Sequence, residues 1–181
     1  MKNMALHILD ITENSLRARA NCINISIRES IADNIYSLII DDNGDGIPNE
    51  LFNSVTDAFT TTRTTRKKGL GLPLLKQHAE MCEGFLKIQS KPDQGCRVGA
   101  QFRNDHIDKP PSGDIPGVIR ILTSGNPSVR IVYTHLTDYG LFNFDSELVK
   151  SEIGETEFRN PLIQKYMKEM IYENLIEINA S

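Results

Sequence analysis

The sequence predicts a two-layer α/β sandwich in which helices cover one face of a mixed sheet, followed by a small α/β extension. Three observations predict this fold class. Apolar residues near the start recur at helical spacing, two hairpins rich in β-branched residues follow, and a further helix stands between the hairpins. The chain has 181 residues, 39% of them hydrophobic, which is enough for one sizeable core or for one domain plus an appended module.

The elements of residues 1–103 alternate between helical and strand patterns. A first helix is predicted from Met4 to about Arg19, with Asn21 as its stop. The segments CINISIRES and NIYSLIIDD then predict an antiparallel hairpin around a short polar turn. The remaining predicted elements are a short helix at 48–52, a polar and basic loop at 60–68, a helix at 72–82, and a hairpin formed by GFLKIQS and CRVGAQF around the turn KPDQG.

A boundary follows the second hairpin. Residues 104–117 include Pro110, Pro111 and Pro116 together with two glycines, the composition of a linker or of a wrapped connection. The remaining residues, 118–181, predict an αββα extension of unknown role. Its elements are a helix at 118–123, a hairpin formed by VRIVYTH and GLFNF, and a helix at 160–179.

Composition and charge exclude several classes of protein. A net charge of −4 and a pI near 5.6 argue against wide electrostatic binding of nucleic acid or of a membrane surface. The three cysteines are odd in number and lack metal-site spacing, which favours a reducing compartment. No signal peptide and no apolar run long enough for a membrane span is present. We therefore expect a soluble, cytoplasmic protein.

A polar stripe marks the first predicted helix. Asp10, Asn14 and Arg17 stand at i, i+4 and i+7, so that a helix places all three on one face. Such a stripe is typical of a solvated surface, and taken alone it does not identify a binding site.

The strand YSLII runs directly into the turn DDNGDG, which is a more specific pattern. Gly44 and Gly46 permit backbone conformations and a close ligand approach that a Cβ atom would prevent. An ionised Asp42 only accepts hydrogen bonds, which favours the amino group of adenine. The turn also imitates the start of a calcium-binding loop, but Phe52 stands where that loop needs a bidentate Glu, and a strand precedes it.

A third segment, AFTTTRTTRKKGLGLPLLK at 58–76, has chemistry suited to phosphate. Threonine hydroxyls, the cations Arg63, Arg66, Lys67 and Lys68, and the backbone N–H groups of a glycine turn could surround a polyanion at the start of the next helix. The alternative is a flexible, solvated basic loop. The segment has no Walker-type Gly-Lys-Ser/Thr sequence, so a P-loop is excluded.

These segments, in this order, resemble the GHKL superfamily of ATP-binding domains, which includes those of gyrase, mismatch-repair ATPases, the heat-shock chaperone and histidine kinases. The resemblance covers about residues 3–103 and implies a Bergerat-type fold. HILDITENSLRARANCINISI is similar to the N-box, and IIDDNGDGI is similar to the Asp-x-Gly-x-Gly box. AFTTTR resembles the F-box of histidine kinases, and KKGLGLPLLK resembles their second glycine box.

The resemblance implies a set of nucleotide-binding residues, with ATP and Mg²⁺ as cofactors. It implies that Asn14 ligates Mg²⁺, that Asp42 fixes the adenine amino group within a pocket shaped by Gly44 and Gly46, and that Arg17 faces the phosphates. The other residues it assigns to the lid and to the phosphate cradle are Phe59, Thr61, Thr62, Arg63, Lys68, Gly69, Leu70, Gly71 and Leu72.

Two positions depart from the family pattern. Asp10 stands where hydrolysing members have the catalytic Glu that activates water, and its side chain is one methylene shorter. This argues against rapid hydrolysis and leaves slow turnover or transfer of the phosphoryl group to a protein. Cys96 replaces a Thr that would support adenine through water. No phosphoacceptor helix is expected, because only three residues precede the first helix.

Two functions remain open. One is a stand-alone signalling regulator that binds ATP and phosphorylates or sequesters a protein partner, as anti-sigma-factor kinases do. The other is a slow ATPase that acts as a nucleotide-driven conformational switch. A non-enzymatic scaffold with a relic site is a third reading. The protein partner is expected to bind through the C-terminal region or the lid, and a dimer is one of the oligomeric states left open.

Overall fold

In a computed structural model, which describes residues 3–47 and 71–181, six strands form one mixed sheet in the order β3-β4-β2-β1-β5-β6. The elements in chain order are α1 (Met4–Arg17), β1 (Cys22–Ser30), β2 (Ile35–Asp42), α2 (Gly71–Met81), β3 (Phe85–Ser90), β4 (Cys96–Arg103), α3 (Ile115–Gly125), β5 (Arg130–Leu136), β6 (Leu141–Asp145), α4 (Ser146–Ile153), α5 (Glu155–Phe158) and α6 (Pro161–Glu177). The predicted fold class, a mixed sheet layered with helices, is confirmed.

The extension contributes to the same sheet as the first hairpin. Strand β5 pairs with β1 in parallel, from Cys22 opposite Arg130 to Arg28 opposite Leu136. The other neighbouring strands pair antiparallel. Residues on both sides of the predicted boundary at 104–117 therefore share one sheet, and the division into two domains stays a prediction.

Strand alternation decides which side chains reach the helices. In β1 the odd-numbered residues Ile23, Ile25, Ile27 and Glu29 are buried, while Asn24 and Arg28 are exposed. The same period of two runs through β2, where Tyr36, Leu38 and Ile40 are buried against the helical layer. Because Asp42 is the next even-numbered residue of β2, its side chain also points towards the helices.

The connection at 104–117 wraps against the start of α1. The N–H groups of Met4 and Ala5 donate to the carbonyls of Pro111 and Ser112, each at 2.9 Å. The side chain of Asn3 caps the same helix by accepting from the N–H of Leu6. The first orphan donors of α1 are thus satisfied by the proline-rich segment, which favours the wrapped alternative over a free linker.

The observed boundaries differ from the predicted ones in a few places. Helix α3 begins at Ile115 because Asp114 caps it by accepting from the N–H of Gly117. Helices α4 and α5 were not predicted, because both are short; Asp145 caps the first of them through the N–H of Glu147. The predicted helix at 48–52 and the loop at 60–68 lie outside the described residues.

Two histidines join α1 to α2. The Nε2 atom of His7 lies 2.9 Å from Nδ1 of His78, and His7 is fully buried. Burial, together with the nearby His78, lowers the pKa of His7 to about 4. Burial also lowers the pKa of His78. The helix interface therefore requires a neutral His7.

Stability is expected to fall between pH 6.5 and pH 4 because of His7. In that interval His7 is protonated in the unfolded chain and neutral in the folded chain. The free energy of unfolding therefore decreases as pH falls, by up to about 3 kcal/mol. Urea unfolding of the wild type and of His7→Gln at a series of pH values measures this, and the variant should show a shallower slope. His106→Gln, in the connection after β4, serves as the control and should keep the wild-type slope. Equal slopes for His7→Gln and the wild type would contradict the assignment.

Candidate functional site

The site lies where the C-terminal half of α1 meets the end of β2. Asp42 ends β2 on the helix-facing side, and its two carboxylate oxygens accept from two fixed donors. The Ser15 hydroxyl donates to Oδ2 at 2.5 Å, and the Gly44 N–H donates to Oδ1 at 2.9 Å. Each oxygen keeps a second lone pair, so the carboxylate is held in one orientation and can still accept from a ligand.

Backbone contacts make the two glycines of the turn necessary. A Cβ on Gly44 would lie 2.5 Å from the carbonyl oxygen of Ala18, at the end of α1. Gly46 has a φ of +68°, and a Cβ there would lie 2.1 Å from the carbonyl oxygen of Lys91 in the β3–β4 turn. The Asp45 N–H also donates to Ala18, at 2.7 Å. The turn after β2 is therefore clamped between α1 and the second hairpin.

Asn14 and Arg17 lie together on one face of α1, as the spacing predicts. The Arg17 guanidinium donates to Oδ1 of Asn14 at 3.1 Å and to Oε2 of Glu13 at 3.0 Å. Arg17 is exposed and Asn14 is half-buried. The amide oxygen and the cation therefore stand side by side at the rim of the site, where an anion could replace Glu13 as the partner of the guanidinium.

Asp10 lies deeper, one turn before Asn14. Its Oδ2 atom is buried and has no hydrogen-bond partner among the described residues. The atom faces the first residue of α2, because a Cβ on Gly71 would lie 1.5 Å from it. A buried carboxylate oxygen without a partner is costly, and such atoms concentrate at functional sites.

Cys96 stands directly across from Asp42 in the β2–β4 register. Burial, with the nearby Asp42 carboxylate, raises the pKa of the Cys96 thiol to about 11. The thiol therefore stays protonated at neutral pH, and it lines the site as a small neutral side chain.

Most of the residues predicted for the lid and the phosphate cradle fall outside the part of the chain that the structure describes. Leu72 lies in the first turn of α2 and packs against the core. Outside the described residues lie Phe59, Thr61, Thr62, Arg63, Lys68, Gly69 and Leu70. The sequence did not lead us to Ser15, which follows Asn14 directly and whose hydroxyl orients Asp42. The alternation of buried residues in β2 turns Asp42 towards the helices, and this signal could have identified Ser15.

Protein ligands for a metal are sparse in the described part of the chain. Residues 3–47 and 71–181 hold no group of three or more His, Cys, Asp and Glu side chains that could bind an ion. A metal at Asn14 would therefore take most of its ligands from elsewhere, as Mg²⁺ does when substrate phosphates and water complete its shell. Within the same ranges, no helix is long and apolar enough to cross a membrane.

The chain is similar to known proteins in both sequence and fold. The family model for histidine kinase-, DNA gyrase B-, and HSP90-like ATPases matches residues 3–106. A putative NtrY-like sensor histidine kinase of Rickettsia conorii is 27% identical over 108 residues, 60% of this chain and 18% of that protein. Its counterpart in Rickettsia prowazekii is 34% identical over 70 residues, 39% of this chain and 12% of that protein. The chain thus spans less than a fifth of the length of these relatives.

The fold is also similar to that of a solved structure. The MutL ATPase domain of Aquifex aeolicus, complexed with ADP, matches with a TM-score of 0.55 and 15% sequence identity. The match covers 86% of this chain and 68% of that one, so it extends beyond the residues of the family model. The chain belongs to the family of histidine kinase-, DNA gyrase B- and HSP90-like ATPases.

Proposed function

We propose that the chain binds ATP with Mg²⁺ between α1, the end of β2 and the start of α2, and that it works as a signalling regulator. The observation that carries the proposal is the Asp42 carboxylate, which Ser15 and Gly44 fix at the end of a buried strand. A fixed acceptor at this place suits the amino group of adenine. Membership of the ATPase family supports the same ligand.

The other described side chains fit the rest of the nucleotide. In this proposal Asn14 offers its amide oxygen to Mg²⁺, and Arg17 leaves Glu13 to meet a phosphate. Gly71 lets the start of α2 come close to the phosphates, where backbone N–H groups favour negative charge. The metal would neutralise phosphate charge and orient the terminal phosphoryl group.

Two uses of the bound nucleotide follow from the same site. In the first, the γ-phosphoryl group passes to a protein partner, or ATP-bound protein sequesters that partner. In the second, Asp10 orients a water molecule for slow hydrolysis, and the nucleotide switches the conformation of the chain. The similarity to sensor kinases supports the first, and the Asp10 Oδ2 atom, which has no hydrogen-bond partner among the described residues, supports the second.

Incubation with γ-labelled ATP and a set of candidate partner proteins separates the two uses. Label on a protein would support phosphoryl transfer, and release of free phosphate alone would support the switch. If neither label transfer nor phosphate release exceeds that of Asp42→Asn, phosphoryl transfer and hydrolysis are both wrong, and only a binding role is left, which includes sequestration of a partner.

Asp10→Ala is expected to abolish turnover without weakening the fold. Removing a general base costs about a hundredfold or more in rate. Removing a buried oxygen that has no hydrogen-bond partner in residues 3–47 and 71–181 relieves a desolvation cost, so the free energy of unfolding should stay equal or rise. Phosphate release, nucleotide affinity and urea unfolding are measured together, with Glu13→Gln as the control on the same helix. A loss of affinity in Asp10→Ala would assign Asp10 to binding.

A further inference from the structure

Helix α6 carries apolar side chains on two opposite sides. Its inner side packs on the core through Met167, Ile171 and Leu175. Its outer side presents four large side chains to solvent: Leu162 (63% exposed), Tyr166 (63%), Tyr172 (58%) and Ile176 (56%). A surface helix needs only one apolar side to pack on the core, so the second, exposed apolar side indicates an interaction surface.

The outer residues form one continuous stripe. At about 100° per residue, seven positions fall within an arc of about 120°, and their spacing is that of a heptad seam. Three of the seven are charged and exposed, and they stand between the apolar ones. The outer stripe of α6 comprises Leu162, Lys165, Tyr166, Glu169, Tyr172, Glu173 and Ile176.

This stripe is complementary to itself when its direction is reversed. Turning it end to end about Glu169 sets an apolar residue level with an apolar one, a tyrosine level with a tyrosine, and a cation level with an anion. The matched pairs are Leu162 with Ile176, Tyr166 with Tyr172, and Lys165 with Glu173. A two-fold axis matches surfaces in this way, because a residue i of one copy meets residue j of the other, and j meets i.

We propose that α6 pairs antiparallel with α6 of a second copy, about a two-fold axis at Glu169. The stripe is about 21 Å long at 1.5 Å per residue, so the interface is small and the dimer forms only at high concentration. The two Glu169 side chains meet at the axis, and the Lys165 ammonium, 3.5 Å from Glu169 in the same chain, reduces their repulsion. Tyr166 and Tyr172 flank the axis, and tyrosine is enriched in protein–protein interfaces.

Analytical ultracentrifugation of the full chain between about 1 and 300 µM measures the association, a range that covers weak interfaces. The mean mass of the wild type is expected to rise from 20.4 kDa towards twice that value. Tyr166→Glu should stay monomeric over the whole range. Phe85→Glu changes another exposed aromatic side chain, on β3 at the opposite edge of the sheet, and should associate like the wild type. A wild type that is monomeric throughout, or an equal loss in both variants, overturns the proposal.

A charge exchange tests the second copy as the occupant. Lys165→Glu alone and Glu173→Lys alone each set like charges level with each other, and each should weaken the dimer at least about tenfold. The double variant restores opposite charges, and it keeps an ion pair within the helix between Glu169 and position 173. Recovery of association in the double variant supports self-pairing. Failure to recover overturns it.

Discussion

Asp42→Asn is expected to reduce the affinity for ATP and ADP on the order of a hundredfold. The substitution keeps the size of the side chain and an oxygen for the Gly44 N–H, so the turn should remain in place. It removes the charged acceptor, and hydrogen bonds to charged groups contribute about 1.5–3 kcal/mol. The amide nitrogen would also face the amino group of adenine donor to donor, which adds a penalty.

Asp41→Asn is the matched control for this variant. Asp41 is the preceding residue of β2, it points to the other face of the sheet, and it pairs there with Arg97 at 3.4 Å. Its substitution should leave nucleotide affinity unchanged. The two variants are titrated with ATP, ADP and GTP, and equal affinities for adenine nucleotides in both would show that Asp42 does not read the base.

Asn14→Ala is expected to remove the effect of Mg²⁺ on ATP binding. With a chelator present, the variant and the wild type should bind ATP alike. With Mg²⁺ present, the wild type should bind at least about tenfold more tightly and the variant should not, because the metal has lost its ligand on the protein. The variant also releases Arg17 from one of its two partners.

Glu13→Gln separates these two consequences. It weakens the other contact of Arg17 and leaves the Asn14 oxygen in place. Its response to Mg²⁺ should match that of the wild type. A Mg²⁺ response that survives in Asn14→Ala would mean that the metal is held by other groups.

Local patterns predicted most of the fold because each depends on neighbours in sequence. The period of two in β1 and β2 defines both strands, and the i, i+4, i+7 spacing puts Asp10, Asn14 and Arg17 on one helix face. The same locality limits what a sequence shows. Helices α4 and α5 are too short for a periodic signal.

The position of the C-terminal hairpin depends on a distant pairing. Strand β5 lies beside β1, and this brings the His135 imidazole within 2.8 Å of the buried Glu29 carboxylate. These two residues are 106 positions apart, and no local pattern links them. The His135 side chain is fully buried, and its Nε2 atom is within hydrogen-bond distance of Glu29 Oε1. Ser15 was not predicted for a similar reason. Its hydroxyl acts on Asp42 at the end of β2, which is 27 residues away.

Isothermal titration of the full chain with a non-hydrolysable ATP analogue, with and without Mg²⁺, measures whether the chain binds nucleotide at this site. We expect saturable binding of one nucleotide per chain, stronger with Mg²⁺ than without it, and a large loss of affinity in Asp42→Asn. If no saturable binding is seen up to about millimolar nucleotide, the binding free energy is weaker than about −4 kcal/mol. That result would contradict the proposed nucleotide site.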